Sequence, residues 1–200
     1  GFVFCCFNNN FKITPTTFDS WGRILEKVKD SVLLIYVSNK SAQINLTKEI
    51  TLRGIDPSRL IFGKRLSKSE YLARYRVADL FLDTQPYNAG TTASDALRMG
   101  LPVLTCMGNS FANRHAASII TALNLPELIT TTEEAYESLA IDLATDPEKL
   151  KIIKDKLVSN LSTAPLYDTS LFARNLESAY TMMYDRYQRG LDPDHIYAKH

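Results

Sequence analysis

The chain has 200 residues, 45% hydrophobic and 22% charged, with 23 Lys and Arg against 22 Asp and Glu. That length supports one domain with a sizeable core. The formal net charge of +1 excludes the basic surface that a nucleic-acid partner demands, and no apolar run approaches the length of a membrane span.

Cys5, Cys6 and Cys106 sit in or beside apolar runs. They read as buried reduced thiols, which points to the cytoplasm. Cys5 and Cys6 would face opposite sides of a strand, so neither a metal pair nor a local disulfide is expected. The chain opens on a strand at Gly1, with no Met and no polar leader. The expectation is a piece of a longer protein, cut near a domain boundary.

Strand and helix signals alternate along the chain, the pattern of an α/β domain with a mainly parallel sheet. Phe2 to Phe7 is the first strand. Pro15 and Thr16 open a helix with Phe18, Trp21, Leu25 and Val28 on its inner face. Val32 to Val37 is a continuous apolar run, expected of a strand covered on both faces. A helix from about Ala42 ends at Gly54, and Leu60-Ile-Phe62 is the third strand. Ser67-Lys-Ser-Glu70 has the capping-box pattern and starts a helix to about Arg76. Leu80-Phe-Leu82 is the fourth strand. Ala96 to Gly100 reads as a short helix closed by glycine, and Val103 to Cys106 as the fifth strand. Helices follow from about Phe111 to Leu123 and from Glu133 to Ala144, with Leu128-Ile129 as a short edge strand between them. Asp146-Pro147 starts another helix as N-cap and first residue. The last helix, about Asp168 to Arg189, carries Phe172, Leu176, Tyr180, Met183 and Tyr187 as an apolar stripe. The expected layout is a lobe over 1–165, a helix over 166–190 that packs on the lobe or crosses to a neighbouring domain, and a tail over 191–200.

In an open parallel sheet, ligands bind beyond the carboxyl ends of the strands. Four loops leave those ends: Asn8 to Lys12, Gly63 to Lys68, Asp83 to Asp95, and Met107 to Arg114. They would converge on one edge, and three of them supply cations. Gly90-Thr91-Thr92 precedes a helix whose free N–H groups and dipole favour an anion, phosphate above all. Thr91 and Thr92 can add hydroxyl donors. Lys12 can meet the phosphate as a compact charge, while Lys68, Arg74 and Asp95 can reach a base and ribose. Each piece also has a structural reading. Lys12 alone is a solvated loop lysine, Thr92-x-x-Asp95 a capping box, and Arg74 a partner for Glu70 one turn earlier. Tyr71 and Tyr87 read as rim aromatics, and Arg114 as a surface charge or a brace for its loop. The convergence carries the functional case. The chain has no Walker A loop, no Gly-x-Gly-x-x-Gly, no zinc-spaced His pair and no arguable Ser/His/Asp set. It is equipped to hold a nucleotide more than to do chemistry alone.

Several longer motifs point further: Phe7-Asn-x-x-x-Lys12-Ile-x-Pro15, Ala78-Asp-x-x-Leu-Asp-Thr84, Tyr87-Asn-x-x-Thr-Thr-x-x-Asp95 with Gly100-x-Pro102, and Gly108-x-x-x-Ala-x-Arg-x-Ala-x-Ser118. On these, with Leu125-Pro-Glu-Leu-Ile129 and Ala164-Pro-Leu-Tyr-Asp168, the chain resembles the C-terminal half of the catalytic region of protein O-linked N-acetylglucosamine transferases. These are the glycosyltransferase family 41 type, SPINDLY-like enzymes included. The resemblance implies a Rossmann-like parallel sheet with flanking helices, the C-terminal lobe of a two-domain GT-B fold. It implies a lobe that binds UDP-N-acetylglucosamine for transfer to Ser or Thr hydroxyls of proteins. The acceptor site would lie mostly in an N-terminal lobe, which tetratricopeptide repeats often precede.

By the same resemblance, Lys12 stabilises the leaving diphosphate, Thr91 and Thr92 bind phosphate, and Lys68 and Asp95 hold the ribose. Arg74, with the backbone near Leu66, lies against the uracil. Asn9, Tyr71, Tyr87 and Gly90 complete the donor site. No metal or other cofactor is required if Lys12 and the helix end carry the charge. Three positions depart from the family pattern. Gly90 stands where many relatives have His, Asn9 where the animal enzymes have a longer amide, and Tyr71 where a His can stack on the base. Two alternatives stay open: another donor, GDP-fucose or UDP-glucose, and a non-catalytic nucleotide-sugar-binding module.

Overall fold

The apolar runs pair, as their alternation with helices demands, into one six-stranded sheet of order β3-β2-β1-β4-β5-β6. In this computed structural model, which describes residues 1–198, every strand pairing is parallel. The strands are β1 (Phe2–Cys6), β2 (Ser31–Tyr36), β3 (Leu60–Gly63), β4 (Leu80–Leu82), β5 (Val103–Cys106) and β6 (Ile129–Thr130). The helices are α1 (Pro15–Lys27), α2 (Lys40–Leu52), α3 (Lys68–Arg74), α4 (Thr91–Arg98), α5 (His115–Ala122), α6 (Glu133–Thr145), α7 (Pro147–Leu161) and α8 (Thr169–Gln188). Two compact units result, Gly1–Ser162 and a second from Thr163 onward. The first holds the whole sheet. The second holds α8, capped by the Asp168 side chain on Leu171 N–H, and a segment without regular structure over 191–198. The end of the expected tail, Lys199 and His200, lies outside the described residues. Among the described residues, no helix is long and apolar enough to cross a membrane.

Most elements stand where the apolar patterns put them, and the differences have local causes. Helix α2 starts two residues before Ala42, because the Asn39 side chain accepts from Ala42 N–H and caps the turn. Helix α4 reaches back to Thr91, so Thr91 to Asp95 are its first residues and not loop. Helix α5 begins at His115 and not at Phe111; turns close from Asn113 N–H to Ser110 and from Arg114 N–H to Phe111 instead. Strand β2 is buried at Ser31, Leu33 and Ile35 but only half-buried at Val32, Leu34 and Tyr36. It is therefore not covered fully on both faces, and Tyr36 turns toward an open cavity.

The core lies where α1 and α6 pack on the sheet. Thr14 caps α1 on Thr17 N–H, and Pro15 sets its first turn. Phe18, Trp21, Ile24 and Leu25 are buried beneath it. The Trp21 indole N–H donates to the Tyr136 hydroxyl at 3.2 Å, and that hydroxyl donates to the Asp83 carbonyl at 3.0 Å. One chain of buried bonds thus ties α1 and α6 to the carboxyl end of β4. At the opposite end, Asp79 and Val3 exchange bonds of 3.0 and 2.8 Å, which join the starts of β1 and β4. Removing the Tyr136 hydroxyl would strand a buried N–H and a buried carbonyl. Tyr136→Phe is therefore expected to lower stability by about 1–3 kcal/mol, read from urea unfolding at neutral pH; an unchanged midpoint would contradict this reading.

Candidate functional site

The strand order reverses direction between β1 and β4, and a crevice opens there at the carboxyl ends. A cavity of about 510 Å³ occupies it, lined among others by Asn9, Lys12, Leu66, Lys68, Tyr71, Arg74, Gly90, Thr91 and Thr92. Nine of the eleven residues singled out from sequence therefore meet on one surface. Tyr87 and Asp95 stand beside it. The Lys12 ammonium lies 3.7 Å from the Tyr87 ring centre, and Asp95 pairs with Lys68 at 3.3 Å.

Two loops build the site, and one carboxylate holds both. Asp83 leaves β4 fully buried. Its Oδ1 accepts from Thr84 N–H at 2.8 Å, from Ala89 N–H at 2.7 Å and from the Asn8 amide at 3.2 Å. Its Oδ2 accepts from the Thr105 hydroxyl at 2.7 Å. These bonds fold residues 83–89, which include a cis Gln85–Pro86 bond, back on themselves. The hydroxyls of Thr14 and Thr17 secure the same loop from α1 through the Gln85 carbonyl, at 3.2 and 2.9 Å. Asn8 also donates to Thr84 Oγ1 at 2.8 Å and accepts from the Thr92 hydroxyl. The loop after β1, the loop after β4 and the first turn of α4 are thereby one assembly.

The cations are placed by that assembly. Lys12 ends a short 3-10 turn, and its Nζ donates to the Asn88 carbonyl at 3.0 Å. It is not a free loop lysine. Burial pulls its pKa down, while the Asp83 charge opposes that shift. Gly90 is the N-cap of α4 and offers no side chain. Among the described residues, the N–H groups of Thr91 and Thr92 find no acceptor, so the positive end of this helix faces the cavity unmet.

Two sequence readings need correction here. The Thr92 hydroxyl donates to Asn8 and is not a spare donor, although its backbone N–H is. Asp95 does not close a capping box with Thr92; it pairs with Lys68. The other capping box, Ser67 with Glu70, forms as expected. With Glu70 so engaged, Arg74 does not pair with it. Its guanidinium lies 4.1 Å from the Phe7 ring centre and donates to the Lys64 carbonyl at 3.0 Å. Gly63 makes that possible, since a Cβ there would stand 2.7 Å from the guanidinium. The fourth loop, Met107 to Arg114, does not line the cavity. It braces the loop after β4 from behind, with Asn88 N–H donating to the Ala112 carbonyl at 3.1 Å.

Asn8, Lys64 and Arg65, which stand in the ligand-facing loops but carry no assigned role in the sequence reading, and Phe7 and Tyr36 also line the cavity. Their signal was position: each ends a strand or follows one on the carboxyl side. Among the described residues, no group of three or more His, Cys, Asp or Glu side chains is placed to hold a metal ion.

A six-stranded parallel sheet in this order, with its crevice at the β1/β4 switch, is Rossmann-like, an arrangement that the lobes of GT-B glycosyltransferases share with other nucleotide-binding folds. The comparisons with known proteins narrow the class. The model of Glycosyl transferase family 41 matches residues 1–176. A UDP-N-acetylglucosamine--peptide N-acetylglucosaminyltransferase of Caenorhabditis elegans is 36% identical over 97% of this chain and 17% of its own length. The probable enzyme of that name called SEC, from Arabidopsis thaliana, is 32% identical over 98% of this chain and 20% of its length. The structure of a mutant O-GlcNAc transferase from Thermobaculum terrenum superposes with a TM-score of 0.87 at 31% identity, over 94% of this chain and 37% of that one. The chain belongs to glycosyl transferase family 41, and it spans about a fifth of the length of these curated relatives.

Burial is also what sets the titration of Asp83. It lifts the carboxyl pKa from 3.8 to about 6, with four hydrogen bonds opposing the rise. Between those values the folded protein holds a proton that the unfolded chain has lost. Stability contributed by this group is therefore present at low pH and lost as pH rises through about 6, a change of about 3 kcal/mol in full. Asp83→Asn has no such titration. Its unfolding free energy relative to the native sequence should shift in its favour by about 2 kcal/mol between pH 4 and pH 7. Urea unfolding at the two pH values measures this, and a pH-independent difference would contradict it.

Proposed function

We propose that this chain is the donor-binding lobe of an enzyme that moves N-acetylglucosamine from UDP-N-acetylglucosamine to Ser or Thr hydroxyls of proteins. The observation that carries the reading is the meeting of Lys12 and the unmet first turn of α4 on one cavity at the switch point. The names of the relatives support the same donor and a peptide acceptor.

In this reading the diphosphate lies on the N–H groups of Thr91 and Thr92, with Lys12 beside it. Lys68 and Asp95 face the ribose. Arg74, Leu66 and the Tyr71 ring form the wall against the base. An acceptor hydroxyl attacks the anomeric carbon from the opposite side, with inversion. The bond from that carbon to the β-phosphate oxygen breaks, its electron pair stays on UDP, and the proton of the acceptor hydroxyl is released to water. The charge that develops there meets an ammonium and a helix dipole already in position, the kind of preorganised term that dominates many enzymes. No metal is needed for that charge balance. A second lobe of the same protein presents the acceptor. The three buried free thiols support a reducing compartment, the cytoplasm in this reading.

Calorimetric titration of this chain with UDP and, in parallel, GDP tests the assignment. UDP is expected to bind, and Lys12→Ala to weaken it by at least about ten-fold, the loss of one charge-assisted bond. In the full-length enzyme the same substitution should lower turnover by about a hundred-fold or more. A preference for GDP would replace the donor in this reading, and binding of neither nucleotide would remove it.

A further inference from the structure

Gly90 leaves a gap at the N-terminus of α4, and the structure shows what fills it. An ideal Cβ on Gly90 would stand 2.9 Å from His115 Cε1, 3.2 Å from its Nδ1 and 3.5 Å from its Nε2. Real Cβ contacts are almost never so close, so the imidazole occupies the volume that a side chain at position 90 would take. The ring comes from another element, the first residue of α5. It is backed by Phe111, with ring centres 5.6 Å apart. Among the described residues, neither ring nitrogen has a hydrogen-bond partner, and the side chain is only half-buried. The ring is open to solvent on one side, so its nitrogens are accessible to an incoming anion.

We propose that His115 is a donor-binding residue. Reaching over Gly90, it presents an imidazole N–H to the phosphate held at the N-terminus of α4. This rests on the nucleotide-sugar reading of the cavity and deepens it. An anion bonded to the Thr91 N–H lies about 3 Å from that nitrogen, beside the peptide on which the ring rests. One tautomer then gives the anion a side-chain donor that the N-cap residue itself cannot supply. Gly90 and His115 form a single functional pair: the missing side chain at one position makes room for the ring from the other.

The pair can be separated and rebuilt. Calorimetry with UDP and with uridine on the native chain, His115→Ala and the double variant Gly90→His with His115→Ala gives the test. His115→Ala should weaken UDP by roughly ten-fold and leave uridine unchanged, since uridine has no phosphate. The double variant, whose Cβ at position 90 points into the vacated space, should recover most of the loss. If uridine weakens in parallel, or the double variant binds UDP no better than the single one, the ring only packs and the proposal falls. It also falls if His115→Ala binds UDP normally while Lys12→Ala does not. Failure of the native chain to bind UDP at all would instead remove the nucleotide reading beneath it.

Discussion

The site depends on one buried carboxylate. Asp83 takes two backbone N–H groups, an amide and a hydroxyl, and so decides the course of the chain between β4 and α4. Without it, the N–H groups of Thr84 and Ala89 would lose their common acceptor, and within the turn the Thr84 hydroxyl to Tyr87 carbonyl and Asn88 amide to Thr84 carbonyl bonds would remain. Burying a carboxylate is unfavourable, and burial raises the pKa of Asp83 despite the four hydrogen bonds that oppose the rise. The return is positional. The Asn88 carbonyl that seats Lys12 and the Gly90 N-cap that opens α4 both belong to the segment Asp83 folds.

Asp83 has an electrostatic role as well. Lys12 is pulled toward its neutral form by burial and back toward its charged form by Asp83. Above pH 6 the carboxylate is ionised and acts as a distant counter-charge. Lys12 makes no direct salt bridge among the described residues, and the Asp83 charge opposes the lowering of its pKa by burial from a distance. Lys68 shows the contrast: it is paired with Asp95, and its ammonium is already committed. The two lysines on one cavity thus differ: Lys12 has a carbonyl partner and no counter-ion in contact, as the proposed anion site requires, while Lys68 is joined to a carboxylate.

Much of this was legible in the sequence because it rests on short-range rules. Apolar runs alternating with helical patterns pointed to the parallel sheet, and the carboxyl-end rule pointed to the loops from which Lys12, Lys68, Gly90 and Thr91 converge, with Arg74 at the far end of the helix that Lys68 begins. What escaped was set by tertiary partners. Nothing local marks Asp83 as buried, since it follows a strand in a turn-rich segment where an exposed acid is equally at home. Thr92 reads as a free hydroxyl until Asn8, 84 residues earlier, is seen to accept from it. Asp95 fits a capping box on spacing alone, but α4 starts at Thr91, one residue before the N-cap position that box requires.

The Gly90 position shows the same limit from the other side. Read along the chain, a glycine before two threonines is the loss of a side chain, and a weaker site follows. Read in space, the glycine is half of a contact whose other half lies 25 residues on, at the head of α5. Function at a helix N-terminus needs a donor at a point in space, not at a sequence position. Two elements that meet at such a point can exchange which of them supplies the ring, provided the other shrinks to let it in. An argument that scores each position by its own residue must miss this, because the quantity held constant belongs to the pair.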